Sequence, residues 1–309
     1  MKHFINLKDI SIANLKKIIK DAKKRKIKRK FFNTLDFDND KPLEGKLFIQ
    51  MFEKSSLRTR LSFYLAIKQL GGATLTLRPD ELHLAKGGES LADTAKVLST
   101  YGNGFMLRTD SDKKLEEFKK YLNIPIINGL SPSSHPTQVL SDIFTVEEIK
   151  KKPISKLSIC WIGDSNNVLN SLIAASVKFS FKLNIGCPKK YEPKKFVIDW
   201  VKKNKKKIHI FNDAKKAARN VDVIFSDKVV SLNDKVNKTK KIKHFKNFRI
   251  DSKLMSVAKK DAIFLHCLPR GSEVTDSVFL GKQSRVWQQA LNRIYVQKSI
   301  LLYCFGKLR

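Results

Sequence analysis

Phe52-Glu53-Lys54-Ser55-Ser56-Leu57-Arg58-Thr59-Arg60-Leu61-Ser62-Phe63-Tyr64 is a junction between two kinds of periodicity. Before it runs an apolar, strand-like segment, Leu47-Phe48-Ile49-Gln50-Met51-Phe52. After it, Phe63, Ile67 and Leu70 recur at helical spacing, and Gly71-Gly72 closes the run. The junction itself carries two hydroxyls and two guanidinium groups, on Ser56, Arg58, Thr59 and Arg60. A strand, a hydroxyl-rich turn and a helix N-terminus make an anion site, because unpaired N–H groups and the positive end of the helix dipole face the ligand. An Arg one turn in can grip a phosphate with both arms of its fork. A capped helix with solvated arginines accounts for the same residues, since Ser and Thr are common helix caps.

The strand-then-helix pattern repeats along the chain, which predicts parallel α/β sheets. Strands are expected near 46–52, 74–77, 104–108 and 124–128, then near 157–163, 182–187, 207–211, 222–226 and 262–267. Helices fall between them, among them 89–101 and 136–150. Pro136 suits a first helical turn, and Val139, Leu140, Ile143 and Phe144 give that helix an apolar stripe. Lys150-Lys151-Lys152-Pro153 then breaks it, and a domain boundary is expected within 148–156. The fold class is therefore α/β, with two doubly wound parallel-sheet domains, 1–148 and 149–309, and an active-site cleft between them. A last helical pattern over 284–303 is expected to pack back on the first domain.

At 309 residues and 42% hydrophobic content the chain can fill two cores. Its formal net charge of +33 suggests acidic partners. The basic residues, however, are spread over the whole length, and aromatic residues are not interleaved with the lysine runs as a base-stacking surface requires. The charge reads best as solvated lysine, with no dedicated nucleic-acid or membrane partner. The cysteines at 160, 187, 267 and 304 form no CxxC pair and no Cys/His cluster with zinc spacing, so no metal is expected and a reducing compartment fits. No apolar run approaches the ~18 residues of a bilayer span. Met1 to Leu7 lacks a signal-type apolar region, and Asp9 and Asp21 interrupt the basic segment behind it, so the cytoplasm is the expected location.

In open α/β sheets ligands bind beyond the carboxyl ends of the strands. Polar groups stand there after one expected strand after another: Arg108; Asn128-Gly129-Leu130 followed by His135-Pro136-Thr137-Gln138; Asp164 to Asn167; Asp227; and His266-Cys267-Leu268-Pro269. Singly, each has an ordinary structural explanation as a cap, a turn residue or a small buried hydrophobe. Together they form a chemical set. Arg58, Arg108, the two hydroxyls and His135 suit a phosphorylated dianion, and Asn167 with Asp227 suits the carboxylate and ammonium of an amino acid. GxxxxGK[ST] and GxGxxG are both missing, so no nucleotide is demanded. An enzyme joining an acyl phosphate to an amine fits.

The same residues resemble the aspartate/ornithine carbamoyltransferase family, its ornithine-using members most closely. Ser56–Arg60 matches a Ser-x-Arg-Thr-Arg element, His135–Gln138 a His-Pro-x-Gln element, Gly163–Asn167 a Gly-Asp-x-x-Asn element, and His266–Pro269 a His-Cys-Leu-Pro element. Glu273–Asp276 and Val286–Arg293 resemble the family's C-terminal region. The resemblance runs nearly end to end. It implies transfer of a carbamoyl group from carbamoyl phosphate to L-ornithine, giving L-citrulline and phosphate in arginine biosynthesis. It also implies no cofactor, a homotrimer or an assembly of trimers, a carbamoyl-phosphate domain over 1–148 and an ornithine domain over 149–309.

By the resemblance, Ser56, Leu57, Arg58, Thr59 and Arg108 bind the phosphate, and His135, Gln138 and Arg293 hold the carbamoyl end. Cys267 and Leu268 close on it, and Leu130, Asn167, Asp227, Ser231 and Leu232 form the ornithine pocket. The catalytic roles fall to Arg58, Arg108, His135, Cys267 and Arg293. Three positions depart from the pattern. Leu57 stands where Thr is usual, Asn233 replaces a loop glycine, and His83 stands where a neighbouring subunit often supplies Gln. The alternatives are a carbamoyltransferase for another amine, such as N-acetylornithine, and a basic nucleic-acid-binding α/β protein.

Overall fold

The computed structural model describes residues 1–78, 88–230 and 237–308. They divide into two compact units. Unit 1 is Met1–Phe144 with Leu291–Arg309, and unit 2 is Thr145–Ala290.

In unit 1, α1 (Ile12–Lys28) precedes β1 (Leu47–Phe52), α2 (Leu57–Gln69), β2 (Ala73–Leu77), α3 (Leu91–Tyr101), β3 (Gly104–Arg108), α4 (Asp112–Tyr121), β4 (Ile126–Leu130) and the first turns of α5 (Pro136–Lys150). The strands form one parallel sheet in the order β2-β1-β3-β4. Period-two alternation sends successive β1 side chains to opposite faces. Ile49 and Met51 join Phe105, Leu107 and Ile126 in a core closed by Ala95 and Leu98 of α3 and Leu115 and Phe118 of α4. On the other face Phe48 stacks on Phe63 of α2, ring centroids 6.4 Å apart.

The sequence places the fourth strand at 124–128, whereas β4 spans Ile126–Leu130. Pro125 has no N–H to give a ladder; its carbonyl instead accepts from Phe105 N at 2.8 Å. At the other end Asn128-Gly129 resembles a turn but lies inside the strand. The register slips from Leu107–Asn128 to Arg108–Leu130, a bulge at Gly129. A Cβ at Gly129 would collide with Met106 Sδ, so any side chain there would force Met106 to move.

Unit 2 continues α5 through β5 (Ser158–Ile162), α6 (Asn167–Phe179), β6 (Lys182–Gly186), α7 (Lys195–Lys203), β7 (His209–Phe211), α8 (Ala214–Ala218), β8 (Val223–Ser226), α9 (Lys238–Phe245), α10 (Ser252–Met255), β9 (Ile263–His266), α11 (Asp276–Phe279) and the start of α12 (Val286–Cys304). Its sheet is parallel throughout, in the order β7-β6-β5-β8-β9. Cys160, Ile162, Ile224 and Phe264 pack with Ala214, Ala217, Phe245, Leu254 and Phe279 from the helices on one face. From Leu291 onward α12 belongs to unit 1. Among the described residues no helix is long and apolar enough to cross a membrane.

Candidate active site

The turn leaving β1 delivers Ser56, Leu57, Arg58 and Thr59 to the first turn of α2. Ser56 is the N-cap residue, but its side chain makes no capping hydrogen bond. Its hydroxyl is therefore not spent on the helix start, unlike those of Ser11, Ser90 and Ser111 at the starts of α1, α3 and α4. Leu57 is 69% exposed. Arg60, the second guanidinium of the motif, turns away and lies over the Phe52 ring at 5.2 Å. The turn is held by Glu53, whose N–H donates to Arg108 O at 3.0 Å and whose carboxylate accepts from Thr109 Oγ1 at 2.5 Å and from Lys114 Nζ.

Arg108 ends β3, and its Nε makes no hydrogen bond among the described residues. Burial, with the Arg58 guanidinium beside it, lowers its pKa to about 10. His135 sits in the turn before α5 and is buried. Burial first, then Arg293, Arg108 and Arg58, hold its pKa well below the ordinary imidazole value. It is therefore a neutral ring at physiological pH, able to donate one N–H but not a full charge. Asn128 shapes this turn from below, its Nδ2 donating to Ser134 Oγ at 2.9 Å, Ser131 Oγ at 3.2 Å and Ile5 O at 3.1 Å.

Arg293, on α12, donates from Nη2 to Thr59 Oγ1 at 2.8 Å and from Nη1 to Gln138 Oε1. Gln138 in turn donates from Nε2 to Asp142 Oδ1 at 2.8 Å. Ser56, Arg58, Thr59, Arg108, His135, Gln138 and Arg293 thus belong to one unit, and Asp142 joins them without having been singled out by its sequence. Leu130 ends β4 in this unit, half-buried.

In unit 2 the polar groups again follow strand ends. Asn166 caps α6, its Oδ1 accepting from Val168 N and Leu169 N at 3.0 Å, while its Nδ2 donates to Asp227 Oδ2 at 2.8 Å. Asn167, the residue singled out from sequence, is the first residue of α6. Asp227 also accepts from Lys228 N at 2.8 Å. Burial raises its carboxyl pKa against the lowering effect of the hydrogen bonds from Lys228 N and Asn166 Nδ2. An ammonium ligand would reverse the penalty.

After β9 the chain turns at Cys267 and Leu268. Leu268 N donates to His266 Nδ1 at 2.9 Å, so the ring proton lies on Nε2, which faces Glu273 Oε1 at 3.1 Å. Leu268 adopts φ +59, a left-handed conformation that a branched side chain takes only when its surroundings impose it. His83, Ser231 and Leu232 lie outside the described residues. Among the described residues no cluster of His, Cys, Asp and Glu is placed to hold a metal ion.

Two parallel-sheet domains, each with its polar groups at the carboxyl ends of its strands, make this a two-domain α/β enzyme. Residues 2–148 match the family model "Aspartate/ornithine carbamoyltransferase, carbamoyl-P binding domain", and residues 155–304 match "Aspartate/ornithine carbamoyltransferase, Asp/Orn binding domain". The ornithine carbamoyltransferase of Agrobacterium fabrum is 39% identical over 307 residues, covering 99% of this chain and 98% of that one. The solved anabolic ornithine carbamoyltransferase of Campylobacter jejuni superposes with a TM-score of 0.91 at 37% identity, covering 99% of this chain and all (100%) of that one. The Pyrococcus furiosus ornithine carbamoyltransferase structure gives the same TM-score, 0.91, at 37% identity, covering 99% of this chain and 97% of that one. The chain belongs to the aspartate/ornithine carbamoyltransferase family.

Proposed function

We propose that the chain is an ornithine carbamoyltransferase that converts carbamoyl phosphate and L-ornithine to L-citrulline and phosphate, in the biosynthetic direction, in the cytoplasm and as a homotrimer. The observation that carries this reading is the grouping in unit 1 of Arg58, Arg108 and Arg293 around a neutral His135. Such a set suits a dianionic donor whose carbonyl becomes an oxyanion. Arg58 and Arg108, with Ser56 and the first-turn N–H groups of α2, bind the phosphate and stabilise it as it leaves. His135 and Arg293 donate to the carbonyl oxygen as charge grows there, which is electrostatic work of the oxyanion-hole kind.

Unit 2 supplies the amino-acid groups. Asp227 takes the α-ammonium and Asn167 the α-carboxylate, and the family resemblance assigns Ser231, Leu232 and Leu130 to ornithine as well. The neutral δ-amine attacks the carbonyl carbon to form the C–N bond, and the tetrahedral intermediate collapses: phosphate departs with the electron pair of the broken C–O bond and takes up the proton that the attacking nitrogen gives up. Direct attack needs no covalent enzyme intermediate, so Cys267 is not cast as a nucleophile, and the family resemblance assigns it and Leu268 to the carbamoyl group. A free δ-amine has a Lys-like pKa of about 10.4, so the enzyme works on the minor, unprotonated form.

The test is initial-rate citrulline formation and phosphate release with L-ornithine, N-acetyl-L-ornithine and L-aspartate in parallel. L-Ornithine is expected to be preferred by about 100-fold in kcat/KM, because an acetylated nitrogen cannot meet the Asp227 carboxylate as an ammonium does. Equal or better use of N-acetylornithine overturns the substrate assignment. Phosphate release with none of the three amines overturns the reaction.

A further inference from the structure

Thr59, Arg293, Gln138 and Asp142 are all buried, and they form one continuous hydrogen-bonded series across α2, α12 and α5. We infer that Asp142 is the positioning residue of the carbamoyl-phosphate site: it fixes the Gln138 amide, and through it the Arg293 guanidinium and the Thr59 hydroxyl. This inference rests on the proposed carbamoyl-phosphate chemistry of unit 1.

The argument is one of polarity. An ionised carboxylate only accepts hydrogen bonds, and a guanidinium only donates. The amide between Asp142 and Arg293 therefore has one satisfactory orientation, with Nε2 toward Asp142 and Oε1 toward Arg293. Turned by 180°, it would set N–H against N–H at Arg293 and oxygen against oxygen at Asp142. Asp142 lies four residues beyond Gln138 on α5, one turn along the same face, so it is well placed to make this choice.

The consequence passes along the series. With Nη1 directed to Gln138, the planar fork of Arg293 turns Nη2 onto Thr59 Oγ1 at 2.8 Å. Thr59 then uses an oxygen lone pair to accept from Arg293, and its own hydroxyl proton remains to be donated. An anionic ligand requires a donor. Asp142 touches no ligand in this scheme, yet it decides that Thr59 meets the donor substrate as a donor and that Arg293 is held in one orientation beside His135.

The test is a double-mutant cycle on the full chain, varying carbamoyl phosphate and ornithine separately. Asp142→Ala is expected to raise KM for carbamoyl phosphate about 10- to 100-fold while KM for ornithine stays within about twofold. Asp142→Asn keeps an acceptor oxygen and is expected to restore most of the loss. In a Gln138→Ala background, Asp142→Ala is expected to cost little more, because the group it positions is gone. If Asp142→Ala fails to fold, Asp142→Leu removes the acceptor with nearly unchanged volume. Equal losses in the two backgrounds, an unmoved carbamoyl-phosphate KM, or an Asn variant as poor as the Ala variant overturns the inference. Wild-type protein that makes citrulline while the cycle is additive sinks this inference alone, whereas wild-type protein that makes none sinks the proposed function and this inference with it.

Discussion

Arg293 Nη2 donates to Thr59 Oγ1 at 2.8 Å, joining residues 234 positions apart in the chain. Thr59 stands on the first turn of α2, where the anion site is built, and Arg293 on α12, the last helix. The C-terminal helix therefore completes the first unit's polar site, and the chain must return to its beginning before that site exists.

The fork of Arg293 spans Gln138 and Thr59 at once, which the single ammonium of lysine cannot reproduce. Arg293→Lys is therefore expected to behave as a loss rather than a conservative change. Losing an oxyanion-type donor costs about 2.7–4 kcal/mol, or about 10²–10³-fold in kcat. Steady-state rates with saturating ornithine check this, and a variant within threefold of wild type, a difference of about 0.65 kcal/mol, would remove Arg293 from the reaction.

Much of this arrangement is legible in the sequence, and the exceptions have physical causes. Strand-then-helix periodicity locates β1, β3, β5, β8 and β9 because their buried runs are apolar and flanked by polar turns. It misplaces β4, because Asn128-Gly129 has turn composition, whereas the glycine makes room for Met106 on the neighbouring strand. Strand-end position groups Arg58, Arg108 and His135. Asp142 leaves no comparable mark, and Asn166, though it stands among the polar residues after β5, does not show from sequence that it is the partner of Asp227. A carboxylate on an otherwise apolar helical stripe and an asparagine in a helix cap look ordinary until Gln138 and Asp227 are seen beside them.

His135 supplies a pH prediction. Its folded pKa is depressed, chiefly by burial. The unfolded ring takes up a proton below about pH 6.5 while the folded ring stays neutral, so the unfolded state binds more protons in that window. The stability this group contributes is present above the unfolded pKa and is lost as pH falls toward the folded one. The slope from one such group approaches about 1.4 kcal/mol per pH unit. Denaturation midpoints of wild type and His135→Gln between pH 7 and pH 5 check it. The variant is expected to lose stability less steeply, and parallel curves would mean that His135 protonates in the folded protein.

Asp38 supplies a stability prediction away from the site. Its Oδ1 accepts from Arg29 Nη1 at 3.0 Å and Lys298 Nζ at 2.7 Å, and its Oδ2 accepts from Arg25 Nη1 at 2.9 Å. Three cations converge on one buried carboxylate. Asp38→Ala leaves them facing one another and is expected to cost about 3–5 kcal/mol, the penalty of an uncompensated buried charge. Lys298→Met should cost far less. Burial already lowers the Lys298 pKa to about 8, and Asp38 keeps two guanidinium partners without it. Urea midpoints at pH 7 separate the two variants, and the reverse ranking would refute the account.

Asp227→Asn is a sharper probe than alanine, because the structure gives the new amide no good orientation. Asn166 cannot turn to accommodate it, since its Oδ1 is committed to Val168 N and Leu169 N at the start of α6. Its Nδ2 must therefore face position 227 as a donor. Lys228 N faces the same side chain as a second donor. A carboxylate accepts both, whereas an amide can accept one only by aiming its own N–H group at the other. The variant thus loses its charge toward the α-ammonium of ornithine and gains one mismatched contact. A hydrogen bond to a charged group is worth about 1.5–3 kcal/mol, which sets the expected rise in KM for ornithine at about 10- to 150-fold. KM for carbamoyl phosphate should stay within about twofold, because every group assigned to that ligand's phosphate belongs to the other unit. Initial rates with each substrate varied in turn make the comparison, and a rise confined to carbamoyl phosphate would reverse the assignment of the two units.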